Sequence, residues 1–229
     1  MEPYAENIRP QIEALLLKAR NMGSQERRER EKEARKEHIL GVARTLLLKK
    51  GLHATTVNQI AKLAELSVGT IYLYFENKED IFAALQEEGL ELLNQQIALA
   101  VSAVTSHQER VRAISSAYID FSEKHANYYD VITYFLSTSE QFFPKRLKNR
   151  IDKIGARIIE YCAGVIEAGI DSGEFKKVDT RKHTMWLWGA LNGLIQFRKM
   201  ETTILQKESY RKVVQYALDN FMDTLVAKK

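Results

Sequence analysis

Apolar residues recur at helical spacing along most of this chain. Ile39, Val42, Ala43, Leu46 and Leu47 follow the i, i+3, i+4, i+7, i+8 pattern of a helix with one buried stripe. That helix is expected to end at "KKG", where two lysines meet the negative end of the helix dipole and Gly51 suits a left-handed cap. "TTVNQIAKLA" then opens a second helix, with Thr56 as cap, Gln59 completing a capping box, and Val57, Ile60, Ala61 and Ala64 as its buried stripe. A turn, "ELS", leads to a third helix capped by Ser67 and reaching about Tyr74. "ENKED" starts a fourth, with Asn77 as cap and two acids in its first turn. Two short helices joined by a three-residue turn have the layout of a helix-turn-helix.

Beyond Phe82 the pattern stays helical but changes character. "IFAALQEEGLELLNQQIALAVSAV" is long and amphipathic, and residues 110–136 carry Tyr118, Phe121, Tyr128, Tyr129, Tyr134 and Phe135. Pro144 marks a break. Two further amphipathic helices follow, one with Ile151, Ile154, Ile158, Cys162, Val165 and Ile166, the other with Trp186, Ala190, Gly193 and Phe197. The loop "DSGEFKKVD" joins them, and a last helix covers roughly 207–226. Ahead of the first core helix, residues 1–35 form an extension in which "GSQERREREKEARKE" has no apolar face. It reads as a loose helix.

Composition supports an all-α reading. Three prolines and 11 glycines in 229 residues are too few for the turns of a sheet protein. The single cysteine, Cys162, excludes an internal disulfide and a cysteine-rich zinc site, and fits a reducing cytoplasm. No apolar run reaches the length of a membrane span, and "MEPYAENIRP" lacks a signal-peptide pattern. The net charge of +4 says little, but nine basic residues stand against four acidic ones between 27 and 50. Such a stretch is either a solvated helical face laced with i, i+4 pairs or a contact for an acidic partner.

The third helix carries the chemistry. Ile71 and Phe75, four apart, anchor it, whereas Tyr72 and Tyr74 point about 200° apart on its flanks. Its beginning, "SVGT", is small and hydroxyl-rich, as a helix entering a DNA major groove requires, and its N–H groups suit a phosphate. Two flanking tyrosines then reach the phosphates on either wall of the groove, with Lys78 adding a cation. Residues 38–85, "HILGVARTLLLKKGLHATTVNQIAKLAELSVGTIYLYFENKEDIFAAL", resemble the DNA-binding domain of the TetR family of bacterial transcriptional regulators. The resemblance implies that Ser67, Val68, Gly69, Thr70, Tyr72, Leu73, Tyr74 and Lys78 face DNA, with Thr55 or Thr56 on a phosphate. Two positions depart from the family pattern. Glu65 stands where the turn often has glycine, and must accept or avoid a left-handed conformation. Val68 stands where a lysine is frequent, so one phosphate contact is missing; Val68 and Leu73 are placed instead to meet thymine methyls. The basic stretch is then either a DNA arm, with Arg27, Arg28 and Arg30 along the backbone or in the minor groove, or a solvated face.

With the charged extension over 1–35 set apart, the resemblance implies a helix-turn-helix domain over 36–83 and an all-helical ligand-binding and dimerisation domain over 84–229. Its expected partners are a double-stranded palindromic operator, a small hydrophobic ligand, and a second copy met through helices near 148–172 and 180–199. Small residues there, Gly155, Ala163, Gly189, Ala190 and Gly193, permit close helix approach. Candidate pocket residues are Tyr118, Phe121, His125, Tyr128, Tyr134, Phe135, Trp186 and Trp188; each also reads as ordinary core. Two rival readings stay open, a dimeric DNA-binding protein without an inducer and a helical-bundle enzyme. Against the enzyme, no histidine follows a glutamate by three, and no phosphate loop, dinucleotide fingerprint or zinc motif is present. No catalytic residue, cofactor or metal ligand set is expected.

Overall fold

The computed structural model describes residues 9–51, 53–137, 142–205 and 208–227. They form helices α1 (Arg9–Lys50), α2 (Val57–Leu63), α3 (Val68–Tyr72), α4 (Lys78–Ser102), α5 (His107–Lys124), α6 (Ala126–Ser137), α7 (Lys145–Asp171), α8 (Thr180–Gln196) and α9 (Tyr210–Leu225), with a 3-10 turn at Phe197–Met200. The chain divides into two compact units, Met1–Lys78 and Glu79–Lys229.

In the first unit, α1 supplies Ile39, Leu40, Ala43, Leu46 and Leu47 to the core; Val42, expected there, is only half-buried. Ile60, Ala61 and Ala64 of α2 and Ile71 and Phe75 around α3 complete it. Gly51 takes φ +78° and closes α1, so the expected left-handed cap is present. Residues 1–8 of the expected extension lie outside the described residues. From Arg9 on, it continues into α1 as one unbroken helix of 42 residues, about 63 Å long at 1.5 Å per residue. Its stretch 23–35 is fully exposed, and Arg27–Glu31 and Glu33–Lys36 pair along it, which supports a helix lacking any apolar face.

The second unit packs α4 to α9 around one apolar core. Leu93 and Ile97 come from α4, Ile114 and Phe121 from α5, Ile158 and Ile166 from α7, Leu191 from α8, and Leu218 and Leu225 from α9. Sequence periodicity draws no boundary within 110–136, but the structure breaks it at His125. That residue leaves helical geometry (φ −122°, ψ 43°) while its N–H still donates to the Phe121 carbonyl. α6 can therefore turn back over α4, where Gly89 leaves room for Tyr128 and Ile132. Pro144 is the N-cap of α7, as its break predicts. Burial alone pushes the Cys162 thiol up to about 12, which makes it a core side chain rather than a nucleophile.

Gly169, near the end of α7, is where the ring of Phe175 packs: a β-carbon added there would lie 2.2 Å from the ring. Phe175 is itself buried and bridges to Val226. Gly169→Ala is expected to lower stability by about 1–3 kcal/mol, through overpacking against a ring with no room to retreat. Urea unfolding followed by circular dichroism checks this, and an unchanged midpoint would show that the ring can shift freely.

Candidate nucleic-acid interface and helical cavity

α2 and α3 are held by their caps. Thr56 Oγ1 accepts the Gln59 N–H at 3.2 Å, and Gln59 Oε1 accepts the Thr56 N–H at 3.3 Å, which is the expected capping box. Ser67 Oγ accepts the Thr70 N–H at 3.0 Å and lies 2.8 Å from Thr70 Oγ1. One of the N–H groups expected to face a phosphate is therefore committed inside the helix. Between the two caps Glu65 adopts φ +55°, so the turn takes the left-handed conformation without glycine. His38 Nε2 donates to the Ala64 carbonyl at 3.1 Å and pins the end of α2 to α1, a role that sequence spacing did not suggest.

α3 ends at Tyr72, two residues short of the expected limit, though the Tyr74 and Phe75 N–H groups still bond to the Ile71 carbonyl. Ile71 and Phe75 are buried, and everything else on this segment is turned outward or lies at its rim. Tyr72 is 52% and Leu73 80% exposed; Ser67 and Gly69 are exposed, and Val68, Thr70, Tyr74 and Lys78 are half-buried. Thr55 is different. It is 0% exposed and its hydroxyl donates to the Gly51 carbonyl at 2.7 Å, so it has no surface to offer a phosphate. Of the two threonines only Thr56 reaches solvent. A β-carbon at Gly69 would meet nothing nearer than Ser67 Oγ at 3.7 Å, an ordinary contact, so no packing within the protein demands glycine there. Arg27, Arg28 and Arg30 lie on the exposed stretch of α1; Arg27 pairs with Glu31 at 3.5 Å, and Arg30 Nε donates to the Glu26 carbonyl.

The second unit holds a cavity of about 350 Å³ among α4 to α8, open to solvent on one side past Leu136 and Asp152, with walls that are mostly aliphatic and aromatic. Tyr118, Phe121 and Trp188 line it. Tyr118 and Trp188 have ring centroids 4.4 Å apart, and the Tyr118 hydroxyl donates to Asn192 Oδ1 at 2.6 Å. Burial raises the Tyr118 phenol far above its ordinary range, so it remains a neutral donor. The other candidates lie outside the wall. His125 accepts from Gln96 Nε2 at 2.6 Å, and Tyr128 donates to the Glu88 carboxylate. Tyr134 and Phe135 join a separate aromatic cluster with Phe82, Phe142 and Phe143. Trp186, about half exposed, packs beside Phe221 on the outside of α8. Gly155 lines the cavity, although its small size suggested helix approach. Sequence reasoning missed Tyr129 and Gln86 in the wall; Gln86 was detectable as a polar residue four from Phe82 and four from Leu90 in an apolar stripe.

Comparison with known proteins agrees with both halves. Residues 39–85 match the family described as bacterial regulatory proteins, tetR family, and residues 104–198 match the tetracyclin repressor-like C-terminal domain. A fatty acid metabolism regulator protein of Bacillus subtilis is 27% identical over 155 residues, covering 67% of this chain and 78% of that one. The transcriptional regulator QacR of Staphylococcus aureus is 25% identical over 166 residues, covering 71% and 85%. The crystal structure of FadR from Bacillus subtilis in complex with stearoyl-CoA superposes with a TM-score of 0.69 at 24% identity, covering 82% of this chain and 98% of that one. Helix-turn-helix and helical domain are thus matched separately, over more than half of the sequence, and the chain belongs to the TetR family of bacterial transcriptional regulators, which bind DNA and are not enzymes.

Proposed function

We propose that this protein is a dimeric repressor that reads a two-fold DNA operator with α3 and releases it when a small apolar molecule fills the helical cavity. The observation that carries the reading is the outward placement of Tyr72 and Leu73 on a five-residue helix whose one buried side chain is Ile71. Large apolar and phenolic groups are held in water beside an exposed glycine, which is the composition of a face that closes on a partner. Ser67, Val68, Gly69 and Thr70 then approach the bases, the two tyrosines and Thr56 take phosphates, and Lys78 adds positive charge. The basic stretch of α1 keeps its two readings. Arg28 and Arg30 have no carboxylate partner within it, whereas Arg27 does.

For dimerisation, α8 turns Met185, Trp186, Gly189, Gly193 and Phe197 to solvent, and α7 adds Tyr161 and Gly164. A β-carbon at Gly164, Gly189 or Gly193 would meet nothing within 4 Å, so their size serves no packing inside the protomer and suits a second copy. For the ligand, the cavity lies at the lower end of the roughly 300–1,000 Å³ usual for small-molecule sites. The likeness to a fatty acid metabolism regulator supports an acyl-type occupant. An occupant that binds the DNA-free state more tightly than the DNA-competent one shifts the population away from DNA. The reading without an inducer has the cavity against it.

A duplex selected from a randomised pool, with binding followed by fluorescence anisotropy, tests the whole. Joint replacement Tyr72→Phe and Tyr74→Phe is expected to weaken binding about tenfold, the loss of one to two phosphate hydrogen bonds. Stearoyl-CoA or 1-dodecanol is expected to release the duplex; if no apolar probe does so, the ligand-free reading takes over. Gly69→Ala separates folding from recognition. It is expected to raise stability by about 0.5 kcal/mol, because alanine favours the helix, while lowering DNA affinity by about tenfold or more through the intruding methyl. Unchanged affinity would remove α3 from the interface.

A further inference from the structure

We infer that the occupant of the cavity carries a neutral hydroxyl, or an equivalent group that both donates and accepts a hydrogen bond, and that Gln86 selects for it. This rests on the cavity being the ligand site proposed above.

Gln86 is 5% exposed and forms part of the cavity wall, and its side-chain carbonyl has no hydrogen-bond partner among the described residues. Leaving a buried amide oxygen unpaired costs about 1–3 kcal/mol, which a leucine or methionine of similar volume would avoid. Neither tyrosine of the wall relieves it: Tyr118 donates its proton to Asn192 Oδ1, and Tyr129 accepts from Gln196 Nε2 at 3.4 Å without bonding the Gln86 oxygen, their partners both on α8. Asp152, the charged lining residue, pairs with Lys148 along α7. The carboxamide oxygen is thus left unpaired, and rotation about the last side-chain bond turns it to whatever enters.

The chemistry of the wall narrows the class. Among the described residues no lysine, arginine or histidine lines the cavity, and the one charged member is an aspartate, so an anionic group placed at Gln86 would meet no compensating charge there. The two ends of a carboxamide exchange by rotation about the last side-chain bond, so Gln86 can present an acceptor or a donor. A hydroxyl satisfies either. The remaining contacts, from aliphatic chains and the Tyr118, Phe121 and Trp188 rings, favour a hydrocarbon body. The class is therefore a hydroxyl-bearing alkyl, alicyclic or aromatic hydrocarbon. A hydroxylated acyl chain meets the same demand when its hydroxyl, rather than its ionised head, reaches Gln86.

Two probes of nearly equal size test this: 2-naphthol, and 2-methylnaphthalene, in which a methyl replaces the hydroxyl. Their dissociation constants are measured by equilibrium dialysis on the full chain, wild type and Gln86→Leu. The wild type is expected to favour 2-naphthol, and the ratio of the two constants to move about tenfold toward 2-methylnaphthalene in the variant. Gln86→Met, unbranched like glutamine, gives the same shift and carries the comparison if circular dichroism shows that the leucine variant has not folded. A ratio unchanged within about twofold in the folded variants overturns the role of Gln86 and leaves the cavity as a plain apolar site. If neither probe binds the wild type, the proposed ligand site falls, and this inference with it.

Discussion

A helix of five residues cannot hold itself in water, because the dihedral angles it fixes outnumber the hydrogen bonds it forms. α3 exists only because Ile71 and Phe75 are inserted into a core built by α1 and α2. The rest of the recognition segment depends on that insertion. Once those two side chains are fixed, helical geometry leaves Tyr72 and Leu73 no route inward. The approach to α3 is equally constrained. His38 ties the last turn of α2 to α1, Glu65 accepts a left-handed backbone at a position costing a non-glycine residue about 1–2 kcal/mol, and Ser67 restarts the helix by capping Thr70. A strained turn and a rigid frame are what a reading head needs, since a misplaced helix loses several base and phosphate contacts together.

The helical domain meets the opposite requirement. Two groups of its aromatic residues do different work. Phe82, Phe135, Phe142 and Phe143 pack ring against ring, mostly tilted or edge-on, with centroid distances of 4.7 to 6.3 Å, and close the space around the first turns of α4. Tyr118, Tyr129 and Trp188 instead surround a void and are braced from behind, through Asn192 and Gln196 of α8. Across the same region, Glu87 pairs with Arg150 and Glu91 with Arg157, joining α4 to α7 at the surface. Exposed pairs of this kind contribute only about 0–1 kcal/mol each, so they hold the two helices in register without locking them.

Much of the first unit was legible in the sequence because its signals are local. A capping box, a glycine after two lysines and a 3.6-residue stripe each act within a few residues, and each appears where expected at Thr56, Gly51 and Ile39 to Leu47. Thr55 shows the limit. Its hydroxyl polarity suggests a surface role, and only the fold reveals that it bonds Gly51 four residues back. In the second unit the composition indicated aromatic-rich helices but not which aromatics share a cavity. That depends on how α6 turns at His125, a break with no proline or glycine to announce it. Tyr128 and Tyr129 are adjacent in sequence, yet one bonds Glu88 on α4 and the other faces the void. Gln86 left a readable trace, a carboxamide in an apolar stripe, but a stripe position alone does not tell a cavity from a core.

The glycines extend this argument to surfaces that have no partner in a single chain. Gly89 and Gly169 are explained from within, since Tyr128 and Phe175 occupy the space a side chain would need. Gly23, Gly41, Gly69, Gly155, Gly164, Gly189 and Gly193 are not, because a β-carbon at each meets open space or an ordinary contact. A helical glycine that packs against nothing costs about 0.5–1 kcal/mol relative to alanine, so each of them weakens the protomer without return inside it. Gly23 and Gly41 lie on α1 and Gly155 in the cavity wall, while the other four fall at the tip of α3 and on the outer faces of α7 and α8, among exposed Tyr, Leu, Met or Trp side chains. Small backbone-exposing positions beside large unburied groups make sense when another surface closes over both. On the proposed reading, DNA on the first face and a second protomer on the other account for the four glycines found there, using no contact that the fold itself already needs.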